Sequence, residues 1–320
     1  MLAYSIRRIV STIPILILVS ILVFFMAKMM PGDPFSGEID PNNTSPEYIE
    51  EMREKLGYND PIPVQYQRWV ADFVQGDFGK STKYKKPAID VIKEKLPNTI
   101  FLAITSLTIT YIFAFFFGMY AGRKPYTLGD HGIAVFNYGG IAIPQFIIAI
   151  VAIYFFAFQL DWFPSGGSIT PGLESGTWEF WKDRIHHAVL PAFTLGMLST
   201  AAYTQFLRND IIQNGQMDYV RSARARGTSE SKIYNKHILR NSIIPLITFL
   251  GFDLATLIGG AVITETIFTY PGIGMLFIES IDSRDYALVM TLTMIFSLLT
   301  LIGNLVADLL YGLVDPRIRY

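Results

Sequence analysis

The chain is 320 residues long, 51% hydrophobic and only 17% charged, against about 25% charged in an ordinary soluble domain. It contains no cysteine, which excludes disulfide frameworks, zinc–thiolate sites and iron–sulfur clusters. Its formal net charge is −1, so the whole molecule has no bias toward nucleic acid or any other polyanion.

A helix needs about 20 consecutive apolar residues to cross a bilayer core. Six segments reach that length: 9–30, 99–121, 133–160, 188–207, 243–267 and 287–312. Arg7 and Arg8 precede the first. It is longer than the core of a signal peptide, and Lys28-Met29-Met30-Pro31 offers no small-x-small cleavage site, so an uncleaved span is expected. The third is long enough to tilt or kink, with Pro144 inside it. The fourth is diluted by Thr194, Ser199, Thr200, Thr204 and Gln205. It is therefore expected against neighbouring helices or water, lining a pore or simply packing.

Between the first two spans, residues 31–97 are polar and patterned for three short helices, at 46–57, 63–75 and 89–96. Tyr66, Trp69, Val70 and Phe73 fall at helical spacing in the second. Such a cap either contacts an external partner or covers the helix ends. With the N-terminus inside, the short inner segments carry 13 Lys and Arg and the short outer ones 3. That asymmetry predicts both termini in the cytoplasm. The domain reading is a first span (1–30), an extracytoplasmic helical insertion (31–97) and a five-helix core (98–320) that includes the cytoplasmic loop 208–242.

Several motifs are decoys or absent. Gly79-Lys80-Ser81 resembles the end of a phosphate loop, but the required first glycine falls at Val74, so no nucleotide site is visible. His186 and His187 are adjacent and point to different helix faces, a poor metal site. Gly118-x-x-x-Gly122 signals close helix packing. Gly259-Gly260 and Gly272-Ile273-Gly274 are packing or turn glycines. Polar groups within spans are costly and usually functional. Asp253 lies mid-span, where it either faces a pore or pairs with a neighbouring helix. Glu265 and Asp308 lie near span ends, expected within reach of water.

The loop 208–242 is the most informative stretch. Gly227 is placed to stop a short helix beginning near Asp218, and Thr228 or Ser229 to cap a second. Ile233, His237 and Arg240 follow at helical spacing. The predicted product is two short helices with a sharp bend. Its outer face is expected to be basic and to carry the small residues Ser222, Ala223 and Ala225. Such a face suits a protein partner; a basic interfacial helix on anionic lipid is the alternative.

The loop resembles the EAA loop of permease subunits of bacterial ABC importers, in the variant found in B-type oligopeptide and dipeptide permeases. The matching residues are Asp218, Tyr219, Val220, Arg221, Ala223, Arg224, Ala225, Gly227, His237, Leu239, Arg240, Asn241 and Pro245. Arg221 and Ser222 depart from the general E-A-A pattern. Further matches extend the resemblance over nearly the whole chain: Pro31-Gly32-Asp33-Pro34, Gly76-Asp77-Phe78-Gly79, Leu96-Pro97-Asn98-Thr99, Trp162-Phe163-Pro164, Glu265-Thr266-Ile267-Phe268, Pro271-Gly272-Ile273-Gly274 and Asp315-Pro316-Arg317.

The resemblance implies an all-α integral membrane protein with six transmembrane helices in the type I importer permease fold. It implies a pore shared with a homologous C-type subunit, two cytoplasmic ATPases that bind ATP and magnesium, and an external substrate-binding protein that delivers peptide. No cofactor is expected in this chain, and no catalytic or metal residue. Asp218, Tyr219, Arg221, Ala223, Arg224, Ala225, Gly227, His237, Arg240 and Asn241 would form the ATPase-coupling loop. Asp253, Glu265, Pro271, Gly272 and Gly274 are the pore or gate candidates. The location implied is the bacterial inner membrane, in contact with lipid. Nickel or another small solute in place of peptide, or a secondary transporter working without ATPases, are the alternatives.

Overall fold

The computed structural model describes residues 2–30, 47, 50, 51, 54, 57, 59–246, 249, 250, 253 and 261–314. In chain order the elements are α1 (Leu2–Met29), α2 (Ile62–Gln75), α3 (Ala88–Arg123), α4 (Leu128–Ala142) and α5 (Gln145–Ala152), which runs on as a π-helical turn, Ile153–Gln159. Then come α6 (Trp178–Gly215), α7 (Asp218–Ala225), α8 (Glu230–Lys232), a second π-helical turn at Ile233–Ile238 and α9 (Leu239–Ser242). The last are α10 (Val262–Ile267), α11 (Ile273–Asp282) and α12 (Tyr286–Val314). Among the described residues the only sheet-like pairing is one isolated bridge, Lys80 to Pro87.

Three described helices are long and apolar enough to cross a membrane: Val10–Met29, Ala88–Arg123 and Tyr286–Leu305. The apolar run 133–160, read above as one span, is broken. Its two halves, Leu128–Ala142 and Gln145–Gln159, meet at 108°. Pro144 is the cause. It brings no amide hydrogen, and it pushes Ile143 out of the helical region, to φ −94 and ψ 127. The segment 188–207 sits inside the 38-residue α6, which is not among the three. Within 243–267, residues 247, 248, 251, 252 and 254–260, Gly259 and Gly260 among them, lie outside the described residues.

One expectation for 31–97 changes. The helix expected at 89–96 is not separate: α3 runs unbroken from Ala88 through Pro97 to Arg123. One proline removes one intrahelical bond, and the buried Val91, Ile92, Leu102 and Ala103 on either side hold the helix together. Pro31-Gly32-Asp33-Pro34 and seven of the twelve residues of the helix expected at 46–57 fall outside the described residues. The helix expected at 63–75 forms as α2 and stops at Gly76, whose φ of +86 suits glycine.

The chain divides into two compact units, Met1–Pro97 with Gly272–Leu301, and Asn98–Pro271 with Ile302–Tyr320. In the first, Phe24 of α1 meets Tyr66 and Trp69 of α2 with ring centroids 5.5 and 5.9 Å apart. Ser20 and Tyr66 share a hydrogen bond of 2.7 Å. The buried Asp285 accepts from the Ser81 hydroxyl at 2.5 Å and the Lys83 amide at 3.2 Å, which orders the loop 80–87.

In the second unit α3 lies directly on α6. A Cβ on Gly118 would stand 2.8 Å from the Cβ of Leu207, and one on Gly122 2.8 Å from that of Ile211. The small-xxx-small spacing is thus a packing device. Thr194, Thr200 and Thr204 of α6 are buried within the protein. A hydrophobic cluster at one end of the unit joins Leu102, Leu190, Ala192, Phe268 and Tyr270. A second, at the other end of α6, joins Leu207, Ile211, Val220, Ala223, Ile233, Ile238 and Leu246.

Candidate functional site

Only Gln216 and Met217 separate α6 from α7, so the bent loop grows directly out of a long helix. The bend itself follows from backbone hydrogen bonding at a helix end. Gly227 donates to the Arg224 carbonyl at 2.9 Å, and Thr228 donates to the Ala223 carbonyl at 3.1 Å. This pair of bonds is the Schellman arrangement, and it requires a left-handed residue. Gly227 supplies it at φ +74. Ser229 takes the N-cap position of α8, but its side chain makes no capping bond. The helical stretch that follows loosens at once into a π-turn, Ile233–Ile238.

One face of the loop is rooted. Val220 and Ala223 of α7, with Ile233 and Ile238 of the π-turn, insert into the cluster built on Leu207 and Ile211. Ala223 is 1% exposed. The expectation that it lies on the outer face is therefore corrected: spacing of i, i+3 puts it beside Val220, on the inward side. Burying a side chain the size of valine stabilises by about 1.5–3 kcal/mol, so the loop is anchored rather than hung from its ends. Asp218, Tyr219, Arg221, Ser222, Arg224, Ala225, Arg226 and Gly227 make up the exposed side.

A polar network closes the base. Asn241 donates to the Tyr219 hydroxyl at 3.2 Å, which donates to Asn214 at 3.0 Å; Asn214 donates in turn to Ser242 at 3.1 Å. Tyr219 and Asn241, 22 residues apart, are thus brought together. Across the bend, the Arg224 guanidinium grips Glu230 with two bonds of 2.7 and 3.2 Å. The Arg224 hydrogen bond holds the Glu230 carboxyl below the usual carboxylate range. Asp218 and Arg221 stand 3.6 Å apart on the open face. His237 is half-buried in the π-turn and Arg240 is exposed.

The pore candidates separate. The Asp253 carboxylate accepts a hydrogen bond from Tyr111 on α3 at 2.7 Å and one from Tyr203 on α6 at 2.6 Å. Tyr203 also stacks on Phe249, with centroids 5.0 Å apart. Neither tyrosine stands out in sequence, since an apolar run hides a phenol tip. Glu265, expected to reach water, is 0% exposed and accepts from Thr99 at 2.6 Å. It lies on α10, whose C-terminal end folds back so that Tyr270 donates its amide to the Glu265 carbonyl at 2.8 Å. Pro271 accepts from the Asn98 amide at 3.0 Å. Gly272 precedes α11, and Gly274 is buried within its first turn. The side chain of Asp308 and the segment Asp315-Pro316-Arg317 lie outside the described residues. His186 and His187 go to different partners, Trp162 and Asp183.

Residues 114–320 match the family described as binding-protein-dependent transport system inner membrane component, and residues 1–103 match the N-terminal component of such membrane proteins. The chain is 41% identical over 321 residues to the oligopeptide transport system permease protein AppB of Bacillus subtilis, covering 100% of both chains. It is 34% identical over 317 residues to a probable peptide ABC transporter permease protein, y4tP, of Sinorhizobium fredii, covering 99% of each. It is also 34% identical over 320 residues to the glutathione transport system permease protein GsiC of Escherichia coli K12, covering 100% of both.

Proposed function

The chain belongs to the binding-protein-dependent transport system inner membrane component family, and from that premise we propose that it forms half of the pore of an ATP-driven peptide importer. A protein of this kind is a permease subunit, not an enzyme. Peptide as the substrate class is supported by the relatives, whose names specify oligopeptide, peptide and glutathione transport. In this reading the chain crosses the inner membrane six times with both termini in the cytoplasm. Residues 31–97 form a helical insertion outside. A homologous C-type subunit completes the pore, two ATPases bind ATP and magnesium below it, and a substrate-binding protein delivers peptide from outside.

The observation that carries the coupling role is the two-sided construction of α7. Val220 and Ala223 are buried against α6, while Asp218, Arg221, Ser222 and Ala225 are left open. A surface with one face fixed to a long helix and the other free suits a contact that moves the helix when a docked motor moves. Differential contact with the ATP-bound and ATP-free motor is what would shift the permease between states. Asp253, held by two phenols, is proposed as a polar point on the translocation path. Glu265 is proposed as a structural carboxylate.

The absence of cysteine makes the test direct. A single Ser222→Cys variant should react with a membrane-impermeant maleimide only from the cytoplasmic side, and docked ATPase should protect it. Labelling from the outer side, or no co-purifying ATPase, would overturn the proposal.

A further inference from the structure

Asp130 and Arg208 carry no role in the proposal above. Asp130 sits in the first turn of α4 and Arg208 on α6, ten residues before α7 begins. The guanidinium meets the carboxylate side-on through two bonds of 2.7 Å, Nε to Oδ1 and Nη2 to Oδ2. The Tyr126 amide adds a third donor at 2.7 Å. The Asp130 side chain is 2% exposed and that of Arg208 17%. The Arg208 guanidinium also lies 5.8 Å over the Tyr126 ring.

Replacing a buried ion pair by well-packed apolar side chains is often neutral or stabilising. What a forked pair provides and an apolar contact does not is a fixed register. The neighbouring α3–α6 contact is of another kind. Gly118 and Gly122 present bare backbone to Leu207 and Ile211, and the Thr110 hydroxyl gives the Gly196 carbonyl a single neutral bond of 3.2 Å. The loop, for its part, shares one cluster with Leu207 and Ile211 and so travels with the end of α6. Movement of that body would pass through the fork to α4, whose other end is the bend at Pro144.

We propose that Asp130 and Arg208 are positioning residues that transmit movement of the loop to the bent pair α4–α5, so that the pair opens and closes in step with the motor. The inference rests on the coupling role proposed for α7.

The test uses the complete transporter in proteoliposomes with Arg208→Lys, Asp130→Asn and the exchange Asp130→Arg/Arg208→Asp. Lysine keeps the charge and loses the fork. The readout is ATP hydrolysed per peptide imported, with chain abundance and ATPase co-purification measured on the same samples. Arg208→Lys and Asp130→Asn should each raise that ratio on the order of tenfold, the middle of the usual range of coupling between sites. ATPase should stay bound, and the exchanged pair should recover part of the loss. An unchanged ratio in Arg208→Lys, or uptake and hydrolysis falling together in proportion to chain abundance, overturns the positioning role while leaving α7 docking intact. Loss of ATPase co-purification from the unaltered transporter overturns the docking reading instead.

Discussion

Thr99 reaches Glu265 across 166 positions of sequence and donates its hydroxyl to the carboxylate at 2.6 Å, in a site closed to solvent. Thr99→Val keeps the shape and removes the donor. Losing a hydrogen bond of this kind costs about 0.5–3 kcal/mol, so thermal unfolding in detergent should move down accordingly. Uptake per folded chain should hold. A variant as stable as the parent would show that Thr99 does not support Glu265.

Gly227→Val places a β-branched residue at φ +74, where Asn is tolerated far better. No atom lies within 4 Å of the position a Cβ would take, so the penalty is conformational rather than steric. A left-handed non-glycine residue costs about 1–3 kcal/mol. The expected outcome is a chain that inserts normally, while uptake uncouples from ATP hydrolysis. Gly227→Asn should fall between. Unchanged uptake and stimulated hydrolysis in the valine variant would dismiss the bend as a coupling element.

Gly118→Leu and Gly122→Val should both reduce the yield of folded chain, because each added Cβ would stand 2.8 Å from a side chain of α6. Overpacking a tight contact costs about 1–3 kcal/mol or more. Shortening the opposing residue in Gly118→Ala/Leu207→Ala should restore yield relative to Gly118→Ala alone. Failure of that rescue would place the damage elsewhere.

Glu279 accepts from the Lys83 ammonium and the Tyr84 hydroxyl, each at 2.8 Å. Burial alone would raise its pKa, but the two hydrogen bonds outweigh it and hold the carboxyl below the ordinary range. A carboxyl depressed on folding stabilises above its unfolded pKa, about 4.3, and loses that contribution as pH falls through the folded value. Unfolding followed from neutral to acid pH should therefore be steeper in the parent than in Glu279→Gln. Equal slopes would remove this group from the acid response.

Much of this architecture can be read in the chain before any coordinates. Gly227 announces itself because only a residue tolerant of positive φ ends a helix this way, and Gly118 and Gly122 because a four-residue spacing puts both on one face. The break at Pro144 was visible as a weak point but not as a bend of 108°, since proline fixes where a helix fails and not where the next one points. Ala223 was misplaced because small residues suit either face, and only packing on Leu207 decides. Asp130 and Arg208, 78 positions apart, and the two tyrosines around Asp253 were invisible for the same reason. Long-range polar pairing leaves no periodic trace.

The elbow between α4 and α5 has a consequence for what surrounds it. Pro144 offers no donor to the carbonyl four residues back, at Gly140, and hydrocarbon offers none either. Backbone irregularity at such depth survives only where protein or water, rather than acyl chains, covers it. If this stretch lies within the bilayer, the cover comes from the chain itself: Gly140 is buried, and a Cβ on it would stand 2.8 Å from Met197 of α6, so acyl chains are kept from that side of the elbow.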